Sequence, residues 1–155
     1  MEMSWIIAFI LQCKVFFIHL INSFELESSV GVSKTIASLY PHLKGKMSAM
    51  ALRVPVADPS VVVLTVELKK ATTMEKVKAA FTKAAKGELK NHLNVSTLPL
   101  VSIDFKGSPY GATVDLFSSS MVNKNFYNIL SWYDNEWGYV SQTIHLLGYV
   151  AKKIK

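Results

Sequence analysis

Ser131-Trp132-Tyr133-Asp134-Asn135-Glu136-Trp137-Gly138-Tyr139 places four aromatic and three amide or carboxylate side chains in nine positions. Before it, Phe126–Tyr133 has the aromatic and aliphatic content of a strand. After it, Trp137, Val140, Ile144, Leu147 and Ala151 recur at three and four residues, the stripe of a helix that faces a core. Asp134 and Glu136 near its start and Lys152, Lys153 and Lys155 at its end suit the helix dipole. The stretch therefore predicts a strand turning sharply into a long C-terminal helix. A corner of this kind sits at the end of a sheet, where sites often lie. Asn135 offers both a donor and an acceptor, which suits an amide ligand such as nicotinamide. A purely structural corner is the alternative reading.

Upstream, Val61–Leu68 is a β-branched run and predicts a strand. Thr72 and Glu75 have the spacing of a capping box, and Val77, Ala80, Phe81 and Ala84 form the apolar face of the helix that follows, with Gly87 as its stop. Leu98–Phe105 and Ala112–Phe117 read as two strands joined by the turn Lys106-Gly107-Ser108-Pro109. Gly31–Tyr40 reads as a helix ended by Pro41, and Met47–Val56 as an edge strand containing Pro55. Strands adjacent in sequence favour antiparallel pairs. The expected class is α+β, a mostly antiparallel or mixed sheet covered by helices, with no Rossmann domain.

Composition narrows the function. Of 155 residues, half are hydrophobic and 18% charged, which excludes a disordered chain. A single cysteine, Cys13, excludes a disulfide framework and a cysteine-based zinc site within one chain. Cys13 lies in an apolar run beside Lys14, weak activation for a nucleophile. The histidines, His19, His42, His92 and His145, are far apart and show no metal-ligand spacing, so no metal is expected. The net charge of +6 comes almost wholly from lysine, and no nucleic-acid partner is expected. Lys76, Lys78, Lys83, Lys86 and Lys90, broken by Glu75 and Glu88, read as a solvated helix face. No G-x-G-x-x-G or Walker A motif is present. The only arginine, Arg53, lies in the apolar strand Ala51-Leu52-Arg53-Val54-Pro55-Val56 and needs a partner. A structural carboxylate and a bound phosphate are equally suited to it.

Residues 1–27 differ from the rest. Trp5–Ile21 is an apolar run of 17 residues interrupted by Gln12, Lys14 and His19, shorter than the roughly 20 residues needed to span a bilayer. It lacks a basic start and a small-residue cleavage pattern, so a membrane or signal role is not expected.

Ser131–Tyr139 with its following helix resembles the C-terminal signature of the glyceraldehyde-3-phosphate dehydrogenase family. Leu43-Lys44-Gly45-Lys46-Met47-Ser48-Ala49-Met50-Ala51-Leu52-Arg53-Val54-Pro55-Val56 and the strand Ser60–Leu68 are similar to two further blocks of that family, in order. The resemblance runs from Ser28 to Lys155 and divides the chain into a non-family leader, 1–27, and part of a catalytic domain, 28–155. It implies NAD-dependent oxidation of glyceraldehyde 3-phosphate with phosphate, in which a cysteine thiolate attacks the aldehyde, a histidine acts as base and hydride passes to NAD.

It also implies tetrameric assembly and a cytoplasmic setting. By resemblance, Arg53 and Gly31 bind substrate phosphate, Asn135 holds the nicotinamide carboxamide, and Tyr133 and Tyr139 lie near the same site. The departures are substantial. Ser29-Val30-Gly31-Val32-Ser33-Lys34 has Val30 where the family loop has a threonine, Val56 replaces a threonine and Val63 an aspartate. The family's catalytic cysteine segment and histidine have no counterpart among the 155 residues, nor does the NAD-binding domain. The expectation is a shortened dehydrogenase chain without turnover of its own. The alternative is a non-enzymatic remnant that joins full-length subunits.

Overall fold

The computed structural model describes residues 25–27, 36, 38–49, 51–56 and 58–154. They fall into two units, divided between Ala57 and Asp58. The leader run 5–21, Cys13, His19 and the loop around Gly31 lie outside the described residues.

In the first unit, β1 (Glu25–Glu27) pairs antiparallel with β2 (Ala51–Arg53), with Glu25 opposite Arg53. The helix expected over Gly31–Tyr40 is seen at Ile36, Ser38 and Leu39, where the Tyr40 amide donates to the Ile36 carbonyl at 2.7 Å. A 3₁₀ turn follows at Pro41–Leu43. The strand expected over Met47–Val56 is confined to β2.

The second unit carries a four-stranded sheet in the order β3 (Ser60–Glu67), β6 (Phe126–Tyr133), β5 (Ala112–Asn123), β4 (Leu93–Ser96). β6 runs antiparallel to both neighbours, whereas β4 pairs parallel with β5. Its helices are α1 (Met74–Lys86) and α2 (Trp137–Lys153). The class is α+β, as expected.

Side-chain alternation decides which face of the sheet is buried. Leu64, Val66, Tyr127, Ile129, Ala112 and Val114 meet Val77, Phe81 and Ala84 of α1 in one cluster, with Phe81 fully buried. On the opposite face, the Trp132 ring stacks on Phe105 with centroids 5.2 Å apart, while Val61 and Val63 stay exposed. Of the five lysines on and after α1, Lys76, Lys83, Lys86 and Lys90 are exposed and Lys78 is half-buried.

Two expectations need correction. The N-cap of α1 is Thr73, whose hydroxyl accepts from the Lys76 amide, not Thr72. Thr72 is tied to the β5–β6 hairpin instead. Its amide donates to the Lys124 carbonyl at 2.7 Å, and its carbonyl accepts from the Tyr127 hydroxyl at 3.0 Å. The helix therefore starts one residue later.

Leu98–Phe105 is not a strand. Ser102–Phe105 is a 3₁₀ turn, in which the Val101 amide donates to Asp104 Oδ2 at 2.8 Å and the Asp104 amide returns to the Val101 carbonyl at 3.0 Å. This local bonding competes with the ladder, and Pro99 lacks a ladder donor. The strand lies earlier, at β4, where Asn94 and Ser96 weaken the β signal.

Replacing Phe81 by alanine empties the centre of the cluster and should cost about 3–5 kcal/mol, read as a lower urea midpoint with an unchanged m value.

Candidate functional site at the strand-to-helix corner

The β6–α2 corner is organised by Asp134, which is 3% exposed. Its Oδ1 accepts from the amides of Glu136 at 2.9 Å and Trp137 at 2.7 Å, and its carbonyl accepts from Gly138 at 3.1 Å. Three consecutive amides that a helix start would leave unpaired are thus satisfied by one residue. Oδ2 reaches across the fold to the Gly107 amide at 2.7 Å. Burial works to raise the Asp134 pKa, but the Gly107, Trp137 and Glu136 amides and the Asp58 carboxyl outweigh it and hold it below the usual range.

Gly138 is needed for close approach. A Cβ there would stand 2.8 Å from the Tyr110 carbonyl oxygen. One turn further, Gln142 Nε2 donates to the carbonyls of Pro109 at 2.9 Å and Asn91 at 3.1 Å. These contacts hold a helix whose apolar stripe, expected from its spacing to face a core, is instead exposed at Trp137, Val140, Ile144 and Leu147, because only the first turns of the helix are attached to the sheet.

Beside Asp134 lies Asp58. Burial, then the Asp134 charge and a hydrogen bond to Asp134, then the Glu136 charge push its pKa up to about 6, with Lys106 opposing. Its Oδ1 is buried without a hydrogen-bond partner.

Asn135 is half-buried, and its Oδ1 accepts from Ser60 Oγ at 3.5 Å, a long contact. Tyr139 lies one helical turn on, partly exposed, with its carbonyl accepting from Thr143 Oγ1 at 2.9 Å. Asn135 and Tyr139 thus both lie at this corner. Arg53 belongs to the other unit, on β2, and Gly31 lies outside the described residues.

Sequence reasoning missed two carboxylates. Asp58 carried no pattern, although the Asp-Pro dipeptide is a turn signal. Asp115, 1% exposed, accepts from the Phe117 and Ser118 amides at 3.0 and 2.8 Å and from Trp132 Nε1 at 3.3 Å, at an irregularity in the β5–β6 ladder. It read only as part of a strand. The structure also brings together two histidines far apart in sequence. His92 and His145 are edge to face, with centroids 5.4 Å apart.

Two outcomes test the corner. Above pH 6 the folded chain carries an ionised Asp58 against Asp134, a penalty absent from the unfolded chain. Between about 6 and 3.8 the folded chain retains the proton longer, and the penalty fades. Asp58→Asn should therefore stabilise the fold at pH 7–8 by about 1–2 kcal/mol after allowing for partial exposure, with the gain vanishing near pH 4, as read by urea unfolding across pH. Gly138→Ala drives a methyl against the Tyr110 carbonyl and should lower stability by about 1–3 kcal/mol in the same assay, although alanine is the better helix former.

The model of the glyceraldehyde 3-phosphate dehydrogenase C-terminal domain family matches residues 25–135. The chain is 45% identical over 128 residues to glyceraldehyde-3-phosphate dehydrogenase 1 of Bacillus cereus and 43% identical over 128 residues to the enzyme of Geobacillus stearothermophilus. Each alignment covers 83% of this chain and 38% of the relative. The cytosolic enzyme of Chlamydomonas reinhardtii is 43% identical over 133 residues, 86% of this chain and 39% of that protein. The chain thus spans about two fifths of the length of these relatives. With its α+β sheet and long terminal helix, the chain belongs to the glyceraldehyde-3-phosphate dehydrogenase family, through that family's C-terminal domain.

Proposed function

We propose that this chain carries the C-terminal part of a glyceraldehyde-3-phosphate dehydrogenase catalytic domain and has no turnover of its own. The observation that carries this reading is the Asp134-centred corner, which holds Asn135 at the end of the sheet. In this reading Asn135 pairs with the nicotinamide carboxamide through its amide donor and acceptor, and Tyr139 lies at the same end of the ligand. Arg53 binds substrate phosphate through its fork of N–H groups, and Gly31 contributes its backbone amide.

The donor set fits one end of NAD. The glycine-rich loop that would cradle the pyrophosphate is absent from the 155 residues. When bound, NAD supplies a hydride acceptor. The residues present orient the carboxamide and anchor phosphate, and neither task cleaves or forms a bond. Without the cysteine nucleophile and its histidine, the residues at hand leave the aldehyde unattacked. A cytosolic setting, like that of the Chlamydomonas relative, suits the reading.

A second reading is favoured by the exposed stripe of α2. Trp137, Ile144 and Leu147 are 58%, 61% and 63% exposed, more apolar surface than a lone helix face usually leaves to water. Such a face suits association with full-length dehydrogenase subunits in a tetramer.

The purified 155-residue chain should produce no NADH from NAD, glyceraldehyde 3-phosphate and phosphate. Turnover by the purified chain would overturn the first reading, and its loss in Cys13→Ser would name Cys13 as the nucleophile. Co-purification with a full-length dehydrogenase, abolished by Ile144→Asp with Leu147→Asp, is the outcome expected of the second. A chain that stays monomeric beside the full-length enzyme would refute it.

A further inference from the structure

We propose that His92 and His145 form a binding site for a borderline divalent transition-metal ion, Zn²⁺ above all, that clamps α2 to the end of β4. His92 precedes β4, and its backbone is fixed on both sides. Its amide donates to the Leu89 carbonyl at 2.9 Å, and its carbonyl accepts from the Gly111 amide at 2.9 Å. His145 lies on α2, one turn beyond Gln142.

Gln142 determines the chemistry of the His92 ring. Its Nε2 already donates to the carbonyls of Asn91 and Pro109, which orients the amide and presents Oε1 to His92 Nδ1 at 2.5 Å. An amide oxygen only accepts, so Nδ1 is the protonated nitrogen. In the neutral ring Nε2 then carries the lone pair, the form in which imidazole binds a metal. A hydrogen bond at the other ring nitrogen is the usual partner of a ligating histidine.

The separation of the two rings agrees with shared coordination. With Zn–N at about 2.0–2.1 Å and tetrahedral angles, two imidazole centroids lie roughly 5.2 Å apart. The centroids here are 5.4 Å apart, with the planes at 84°. Among the described residues no group of three histidine, cysteine, aspartate or glutamate side chains could hold a metal. Water completes the sphere, and the site is open and exchangeable. Because His145 is exposed and His92 half-buried, an ion can enter without disturbing the core.

The test is calorimetric titration of the full chain with Zn²⁺, with Mg²⁺ as the control. One Zn²⁺ should bind per chain at this site and raise the unfolding temperature, while Mg²⁺ does neither. His145→Asn, a substitution at an exposed position, should weaken Zn²⁺ binding by more than tenfold and abolish the thermal shift. Gln142→Leu should weaken it by about tenfold, as loss of an outer partner does. Cys13→Ser and His19→Asn should leave it unchanged. Affinity equal in wild type and His145→Asn would overturn the proposal. So would loss of binding on Cys13→Ser instead, or no saturation below about 1 mM.

Discussion

The carboxylate of Asp134 is the contact on which the corner depends. It is buried, it starts α2, and it joins that start to the turn at Gly107. A carboxylate can be buried at low cost when several amides point at it, and the positive end of a helix adds to the effect. Loss of this one group would leave amides at the helix start and in the turn unpaired together. The Gly138 approach to Tyr110 and the Gln142 bridges then act as a second and third attachment along the same helix.

This arrangement explains a helix that is strongly apolar yet little buried. Of the residues of α2, only Gly138 is buried. The helix is held by hydrogen bonds and one close backbone approach at its first two turns, and its hydrophobic stripe contributes little within the described residues. The sheet differs, because α1 closes one face with Val77, Phe81 and Ala84 and the ladder supports itself. Stability in this unit is therefore uneven, deep at the α1–sheet interface and shallow along the outer turns of α2.

Asp58 adds an opposing term. Its carboxyl shares the neighbourhood of Asp134 with one buried oxygen unpaired, so charge at the corner is satisfied at one residue and frustrated at the next. Departures from local consistency concentrate where a fold has work other than stability to do. Here that neighbourhood contains Asn135 and the exposed end of α2.

Periodicity alone located β3, β6, α1 and α2, because β-branched runs and three-to-four spacing are properties of the chain itself. The nine residues from Ser131 to Tyr139 revealed the corner and, with the Arg53 segment, the family. Local sequence could not place β4, since four residues with two polar members carry little β signal, and their pairing with β5 is set by a partner about twenty positions away. It could not separate Thr72 from Thr73 as a cap, since Tyr127, 55 positions away, settles that choice. Nor could it join His92 to His145, or Asp134 to Gly107. Both pairs lie far apart along the chain and meet because the Asp134 and Gln142 side chains hydrogen-bond to distant backbone groups and bring α2 against the ends of the strands. The chain determined its elements and its lineage, and tertiary packing decided which polar groups meet.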